Sequence, residues 1–190
     1  TKVLSSFSTL VANNYNMDIK EIKTAKTKFA VHDLIKGRFS PRAFADKEIT
    51  KDVLNTILEA ATWAPSAMNE QPWRYMAALK QDDEGFKKLS ELLLPGNAAW
   101  ASKAAALIFC YTKLTYSLTG HHNGAALHDT GMSNQNLLLQ AVSMSIYAHV
   151  MGGFDKEKSK QVFNLGDDSQ PICIIALGYL GDAEILSESF

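Results

Sequence analysis

Apolar positions along the chain recur with two different periods, and these periods predict its elements. Val3, Leu4, Phe7, Leu10 and Val11 fall at helical spacing and predict a short amphipathic helix. Ser5, Ser6, Ser8 and Thr9 break up that segment too thoroughly for the apolar region of a signal peptide. Further helices are predicted near residues 29–36, 51–62, 84–94, 124–148 and 155–164, with Thr50 and Asp155 as N-caps. Short apolar runs flanked by breakers predict strands near 73–80, 104–112 and 171–180. This order of elements suits a doubly wound α/β sheet and an α+β fold equally, and periodicity leaves both open.

The 25 residues from Thr130 to Phe154 contain no Asp, Glu, Lys or Arg, a length that could cross a bilayer. Asn134, Gln135, Asn136, Gln140, Ser143, Ser145 and His149 would be costly in hydrocarbon, whereas protein packed around a helix can satisfy them. The segment is therefore expected to be a buried central helix and not a membrane span. Burial on all sides in so small a chain implies that a second subunit covers part of it. No repeat or Pro/Gly-rich linker divides the sequence. An N-terminal arm over residues 1–27, with a loop at Asn13–Asn16, and one domain over 28–190 are expected.

Charge narrows the function. Lys and Arg total 19 against 20 for Asp and Glu, a formal net charge of −1, which argues against a polyanion-binding surface and hence against nucleic acid. At 46% hydrophobic and 21% charged, the 190 residues have the composition of a packed globular domain. Cys110 and Cys173 each sit inside an apolar run, so buried, reduced thiols and a cytoplasmic location are expected.

Four clusters carry candidate chemistry. In an extended Arg38-Phe39-Ser40-Pro41-Arg42, alternate residues project to one side and bring two guanidinium forks and a hydroxyl together, a set suited to phosphate. Taken alone, the same residues make an ordinary solvated basic loop. Ala64-Pro65-Ser66-Ala67-Met68-Asn69-Glu70-Gln71-Pro72-Trp73 joins a predicted helix to a predicted strand. Its prolines stiffen it, and the Asn69 and Gln71 amides could read the edge of a heterocycle, or the segment could be a plain connector. Met151-Gly152-Gly153-Phe154-Asp155 opens a predicted helix. Its glycines would admit a ligand close to the backbone, though a tight turn is the commoner meaning of such a pair. His121-His122 and His128-Asp129 invite a metal, but seven helical residues at about 1.5 Å each separate the two sets by roughly 10 Å, so no metal site is expected. The chain holds no G-x-G-x-x-G, P-loop, G-x-S-x-G or H-E-x-x-H motif, which removes support for nucleotide triphosphate chemistry and serine hydrolysis.

Taken together and in order, Arg38-x-Ser40-x-Arg42-x-Phe44, Ala64-Pro65-Ser66-x-x-Asn69-x-Gln71-Pro72-Trp73, Asp129-x-Gly131, Gln135-Asn136-Leu137-Leu138-Leu139, Gly152-Gly153-Phe154 and Gly178-Tyr179 resemble the nitroreductase family of FMN flavoproteins. The resemblance runs from about Phe29 to Gly181, about four-fifths of the chain. It implies an α+β fold with helices around a central, largely antiparallel sheet, and an obligate, intertwined homodimer with two FMN sites at its interface.

Position by position, the resemblance implies that Arg38, Ser40 and Arg42 hold the ribityl phosphate, and that Pro65, Ser66, Asn69 and Gln71 reach the flavin from the partner subunit. Gly152 and Gly153 would lie against the reactive edge of the ring system, and the uncharged segment 130–154 would be the interface helix. Toward its C-terminal end the chain departs from the family pattern: Gln161–Phe190 carries five acids and no Lys or Arg. Arg38 and Arg42, or a lysine from elsewhere, are then expected to carry the phosphate. The implied activity is an NAD(P)H-dependent FMN oxidoreductase working by a ping-pong mechanism on nitroaromatic, quinone or related acceptors. Hydride chemistry takes place on the flavin N5, and no catalytic side chain is required. A flavin-binding store or sensor without turnover, or a specialised reductase of the same family, is the alternative.

Overall fold

The structure is a computed structural model that describes residues 19–183 and Leu186. The amphipathic segment expected over residues 1–12 and the loop at Asn13–Asn16 lie outside the described residues. The chain divides into two compact units at Phe39/Ser40. Within the first, the described elements are two short helices, α1 (Ile19–Lys23) and α2 (Asp33–Gly37). Helix α2 begins later than the helix expected at 29–36, because His32 caps it: its Nδ1 accepts from Leu34 N at 3.2 Å. Arg38 is the C-cap of α2 and has an extended backbone.

The second unit is built on four antiparallel strands in the order β1-β2-β4-β3: β1 (Trp73–Leu79), β2 (Ala106–Lys113), β3 (Tyr147–Met151) and β4 (Ser169–Gly178). All-antiparallel pairing settles the fold as α+β and removes the doubly wound alternative. The central strands β2 and β4 are apolar at nearly every position because both faces of the sheet are covered. On one face, Ile108, Cys110, Cys173 and Ile175 pack against α3 (Lys51–Thr62) and α6 (Ala126–Ser143). On the other, Leu107, Phe109, Ile174 and Ala176 pack against α4 (Asp83–Ser90) and α5 (Pro95–Ala101). Helix α7 (Lys156–Val162) leads into β4.

The expected caps are present: Thr50 Oγ1 accepts from Val53 N at the start of α3, and Asp155 Oδ1 accepts from Lys158 N at the start of α7. Cys110 and Cys173 are register partners across β2 and β4, both buried with free thiols. The adjoining Cys173 thiol and then burial push the Cys110 thiol well above its ordinary range.

One expectation needs correction. The single helix expected over 124–148, which overlaps the uncharged segment 130–154, is instead α6, a turn and then the edge strand β3. Ser145, at φ 58°, ends α6 by donating its N–H to the Val142 carbonyl, while Ile146 N donates to the Ala141 carbonyl. That pair of bonds closes a helix through a left-handed residue, a place usually taken by glycine. Within this chain α6 keeps an exposed side that carries Leu127, His128, Gly131 and Gln135. Helix α5 was not anticipated, although Pro95 at its first turn is a helix-start signal. Among the described residues no helix is long and apolar enough to cross a membrane.

Candidate functional site

Ser40–Arg42 is held from two sides within the second unit. Downstream, Ala45 N donates to the Tyr179 carbonyl at 2.9 Å and Gly181 N to the Ala43 carbonyl at 3.1 Å, so residues 43–45 pair with the stretch that follows β4. A Cβ at position 181 would sit 2.5 Å from the Phe44 carbonyl carbon, which explains the glycine there. Upstream, His149 on β3 donates from Nδ1 to the Pro41 carbonyl at 3.0 Å. Burial, with a smaller contribution from the Arg42 charge, lowers the His149 pKa, and the Pro41 carbonyl opposes the shift. Trp100 of α5 packs on the His149 ring at 4.5 Å between centroids. Arg42 lines a cavity of about 780 Å³ together with Trp100, Lys80 and Lys103.

The loop between α3 and β1 is conformationally expensive. Met68, Asn69 and Gln71 have φ of 56°, 55° and 51°, in the left-handed region. Asn tolerates that region, whereas Met and Gln enter it at a cost of about 1–2 kcal/mol each. Several bonds hold the loop there. Asp129 on α6 accepts from Ala67 N at 2.9 Å, Ser66 Oγ accepts from Gln71 N at 3.0 Å, and Arg74 Nη1 donates to the Gln71 carbonyl at 2.8 Å. The Glu70 carboxylate accepts from Ser117 N at 2.9 Å and from Ser117 Oγ, which ties the loop to the 114–125 connection. The Ser117 hydroxyl and then its N–H hold the Glu70 carboxyl below its usual range. Pro65 precedes this turn, and Pro72 leads into β1.

Gly152 and Gly153 follow β3 and precede the Asp155 cap. A Cβ on Gly152 would meet no atom within 4 Å, so its backbone borders open space. Gly153 is enclosed: its carbonyl accepts from Asn97 Nδ2 at 2.9 Å and from Leu94 N at 3.2 Å. A Cβ there would lie 2.8 Å from Asn97 Nδ2. Asn97 went unnoticed at the sequence level because α5 itself did.

The site residues thus fall into two clusters within this chain. Ser40, Arg42, Gly152 and Gly153 rest on β3, α5 and the stretch after β4. Pro65, Ser66, Asn69 and Gln71 rest on α6 and the 114–125 connection, while Arg38 belongs to the first unit. Beside the second cluster stand exposed apolar side chains. Trp63 is 79% exposed, Met68 87% and Leu127 51%. These three stand around one loop and one helix start. His121 and His122 lie on the 114–125 connection, where His122 pairs with Thr115, and His128 lies exposed on α6.

Comparison with known proteins points one way. The family model described as the nitroreductase family matches residues 35–179. A relative from Methanothermobacter thermautotrophicus, which carries the provisional name NADH dehydrogenase/NAD(P)H nitroreductase, is 28% identical over 157 residues, covering 80% of this chain and 78% of that protein. A solved oxidoreductase described as containing FMN is 32% identical with a TM-score of 0.83, covering 91% of this chain and 87% of that one. A nitroreductase family protein from Clostridium difficile 630 is 25% identical with a TM-score of 0.65, covering 83% and 96%.

Proposed function

This chain belongs to the nitroreductase family, and from that premise we propose that it is an FMN-dependent oxidoreductase that draws electrons from NAD(P)H. Nitroaromatics, quinones or related small molecules are its acceptors, in ping-pong order. The names of its relatives and the FMN-containing neighbour support this reading. The observation that carries it is the loop 64–72, where side chains suited to reading a heterocycle stand on a backbone held in left-handed conformations by bonds from three other segments. Strain that the surroundings over-determine is characteristic of ligand sites.

The residues present fit the cofactor. Arg42 lines a cavity of about 780 Å³, a volume in the range of small-molecule sites. Its guanidinium and the Ser40 hydroxyl supply the fork and the directional donor that a phosphate takes. Gly152 presents backbone to open space, so a planar ring could approach it. The assignment of Arg38 to the same phosphate rests on the sequence resemblance.

When bound, FMN supplies the hydride and electron chemistry. The protein supplies binding and orientation. Ser40 and Arg42 anchor the phosphate, and the Asn69 and Gln71 amides, with Pro65 and Ser66 shaping their turn, orient the ring edge. Gly152 and Gly153 would offer backbone N–H groups to negative charge developing on the bound cofactor. The loop residues serve the partner's cofactor in a homodimer, which Trp63, Met68, Leu127 and the uncharged exposed side of α6 support.

Anaerobic addition of NADH to the FMN-loaded protein tests the proposal. Bleaching of the flavin, followed by recovery of colour on adding a quinone, is expected. Flavin that binds but does not bleach with NADH or NADPH would make the protein a flavin store and overturn the enzyme assignment.

A further inference from the structure

We propose that Asp129 is the positioning residue of the cofactor loop: through the Ala67 N–H it sets the left-handed turn that aims Asn69 and Gln71. This rests on the assignment of those two amides to FMN. Asp129 projects from the buried side of α6, and its side chain is 3% exposed. Its Oδ2 accepts from Ala67 N at 2.9 Å, and its Oδ1 lies 3.2 Å from His128 Nδ1 on the exposed side. A carboxylate is costly to bury without partners, so its placement needs a reason beyond packing. The reason lies across 62 residues of sequence, at the first residue of the tight 3-10 turn Ala67–Asn69.

That turn lacks a cap of its own. Ser66 stands at the cap position, but its side chain makes no capping bond and accepts instead from Gln71 N. Asp129 therefore does from another helix what a local cap normally does. The rest follows from the geometry of the turn. Asn69 N donates to the Ser66 carbonyl at 3.1 Å and Glu70 N to the Ala67 carbonyl at 3.1 Å, so both bonds depend on where Ala67 is held. Met68, at φ 56°, lies between them, and without an outside restraint it would relax toward negative φ. Relaxation there rotates the peptide that carries Asn69. Asp129 touches neither cofactor nor substrate in this scheme; it acts through Ala67.

Two substitutions separate this role from simple support of the fold. Asp129→Asn keeps a carbonyl oxygen that can accept from Ala67 N, whereas Asp129→Ala removes the acceptor. With apoprotein titrated by FMN, Asp129→Ala should bind about 10-fold or more weakly and show an altered flavin visible spectrum. Asp129→Asn should stay within about threefold of the parent, with the parental spectrum. Hydrogen exchange of the apoprotein, read at residues 66–71, should accelerate in Asp129→Ala and be largely restored in Asp129→Asn. Parental exchange and affinity in Asp129→Ala would overturn the proposal, as would equal loss in both variants together with faster exchange throughout α6. If the parent itself binds no FMN, the functional assignment fails. Loop exchange then decides on Asp129 alone, upholding it when confined to 66–71 and overturning it when absent or spread through the helix. Should Asp129→Ala not fold, Asp129→Ser, which retains a short acceptor, is judged by the same exchange pattern.

Discussion

Tyr75 offers a test of how the loop's two supports, β1 and α6, are joined. Its hydroxyl lies 2.8 Å from Asn134 Oδ1 and 2.8 Å from Ser133 Oγ, and Ser133 Oγ in turn lies 2.8 Å from the Ala61 carbonyl of α3. These are three oxygen–oxygen contacts served by two hydroxyl protons. With the Tyr75 proton on Asn134 and the Ser133 proton on Ala61, the contact between the two hydroxyls holds no proton. Tyr75→Phe then strands one buried acceptor, the Asn134 side-chain oxygen, at a cost of about 1–3 kcal/mol. Ser133→Ala removes one neutral bond at about 1 kcal/mol, because the Ala61 carbonyl keeps its bond from Ala64 N. Each single variant thus loses one bond and the double variant two, so the coupling energy should be near zero. If all three contacts were bonds, each single variant would lose two and the double three, giving a coupling of about 1 kcal/mol. Urea unfolding of the four proteins at one protein concentration measures it, since subunit association would otherwise shift the midpoints. A coupling of 1 kcal/mol or more would refute the proton count.

Three further outcomes follow from local geometry. Ser145→Gly should raise stability by about 0.5–1 kcal/mol in the same assay, since it relieves a left-handed residue at the end of α6 and adds only the entropy cost of glycine. Gly181→Ala should lower stability by about 1–3 kcal/mol and weaken FMN binding, because its Cβ meets the Phe44 and Ala45 backbone within 2.8 Å and would push Ser40–Arg42 out of place. His149 has a lowered folded pKa, so as pH falls through its ordinary value of 6.5 the unfolded chain takes up the proton first. Stability should therefore decline below about pH 6.5 and level off once the folded state also protonates, and His149→Gln should remove that slope from urea midpoints taken across the range.

How far the sequence could be read depended on whether the signal was local. Thr50 and Asp155 cap helices because their side chains reach an N–H three residues on, and a window of four residues holds that information. Strands β1, β2 and β4 are apolar runs bounded by breakers, and the structure places every one of their ends within two residues of expectation. Strand β3 was concealed because Ser145 takes a position where glycine would have announced the end of α6, and because an edge strand five residues long has little pattern of its own. Among the site residues, the expected donors Ser40, Arg42, Asn69 and Gln71 could be named from their chemistry. Nothing local shows that Asp129 meets Ala67, or that Glu70 meets Ser117 across 47 residues. Such contacts follow from the packing of α6 and the 114–125 connection, which periodicity does not specify.

Gly131 provides the last test, because the sign of one substitution depends on whether α6 meets a second subunit. It lies in the interior of α6 on the exposed side, and a Cβ built there meets nothing within 4 Å in this chain. For an isolated subunit Gly131→Leu is favourable: leucine is a good helix former, and replacing an exposed helical glycine contributes about 0.8 kcal/mol. In the homodimer proposed above, the uncharged side of α6 lies against the partner, where a glycine allows close approach and a leucine overpacks at about 1–3 kcal/mol. The second effect outweighs the first. Light scattering should give about twice the 20.9 kDa chain mass for the parent at micromolar concentration, and a shift toward monomer for Gly131→Leu. Bound FMN should fall with the dimer, since Asn69 and Gln71 would no longer be delivered across the interface. A Gly131→Leu protein that is more stable than the parent, with unchanged mass and flavin content, would place the interface elsewhere and assign the uncharged side of α6 to solvent.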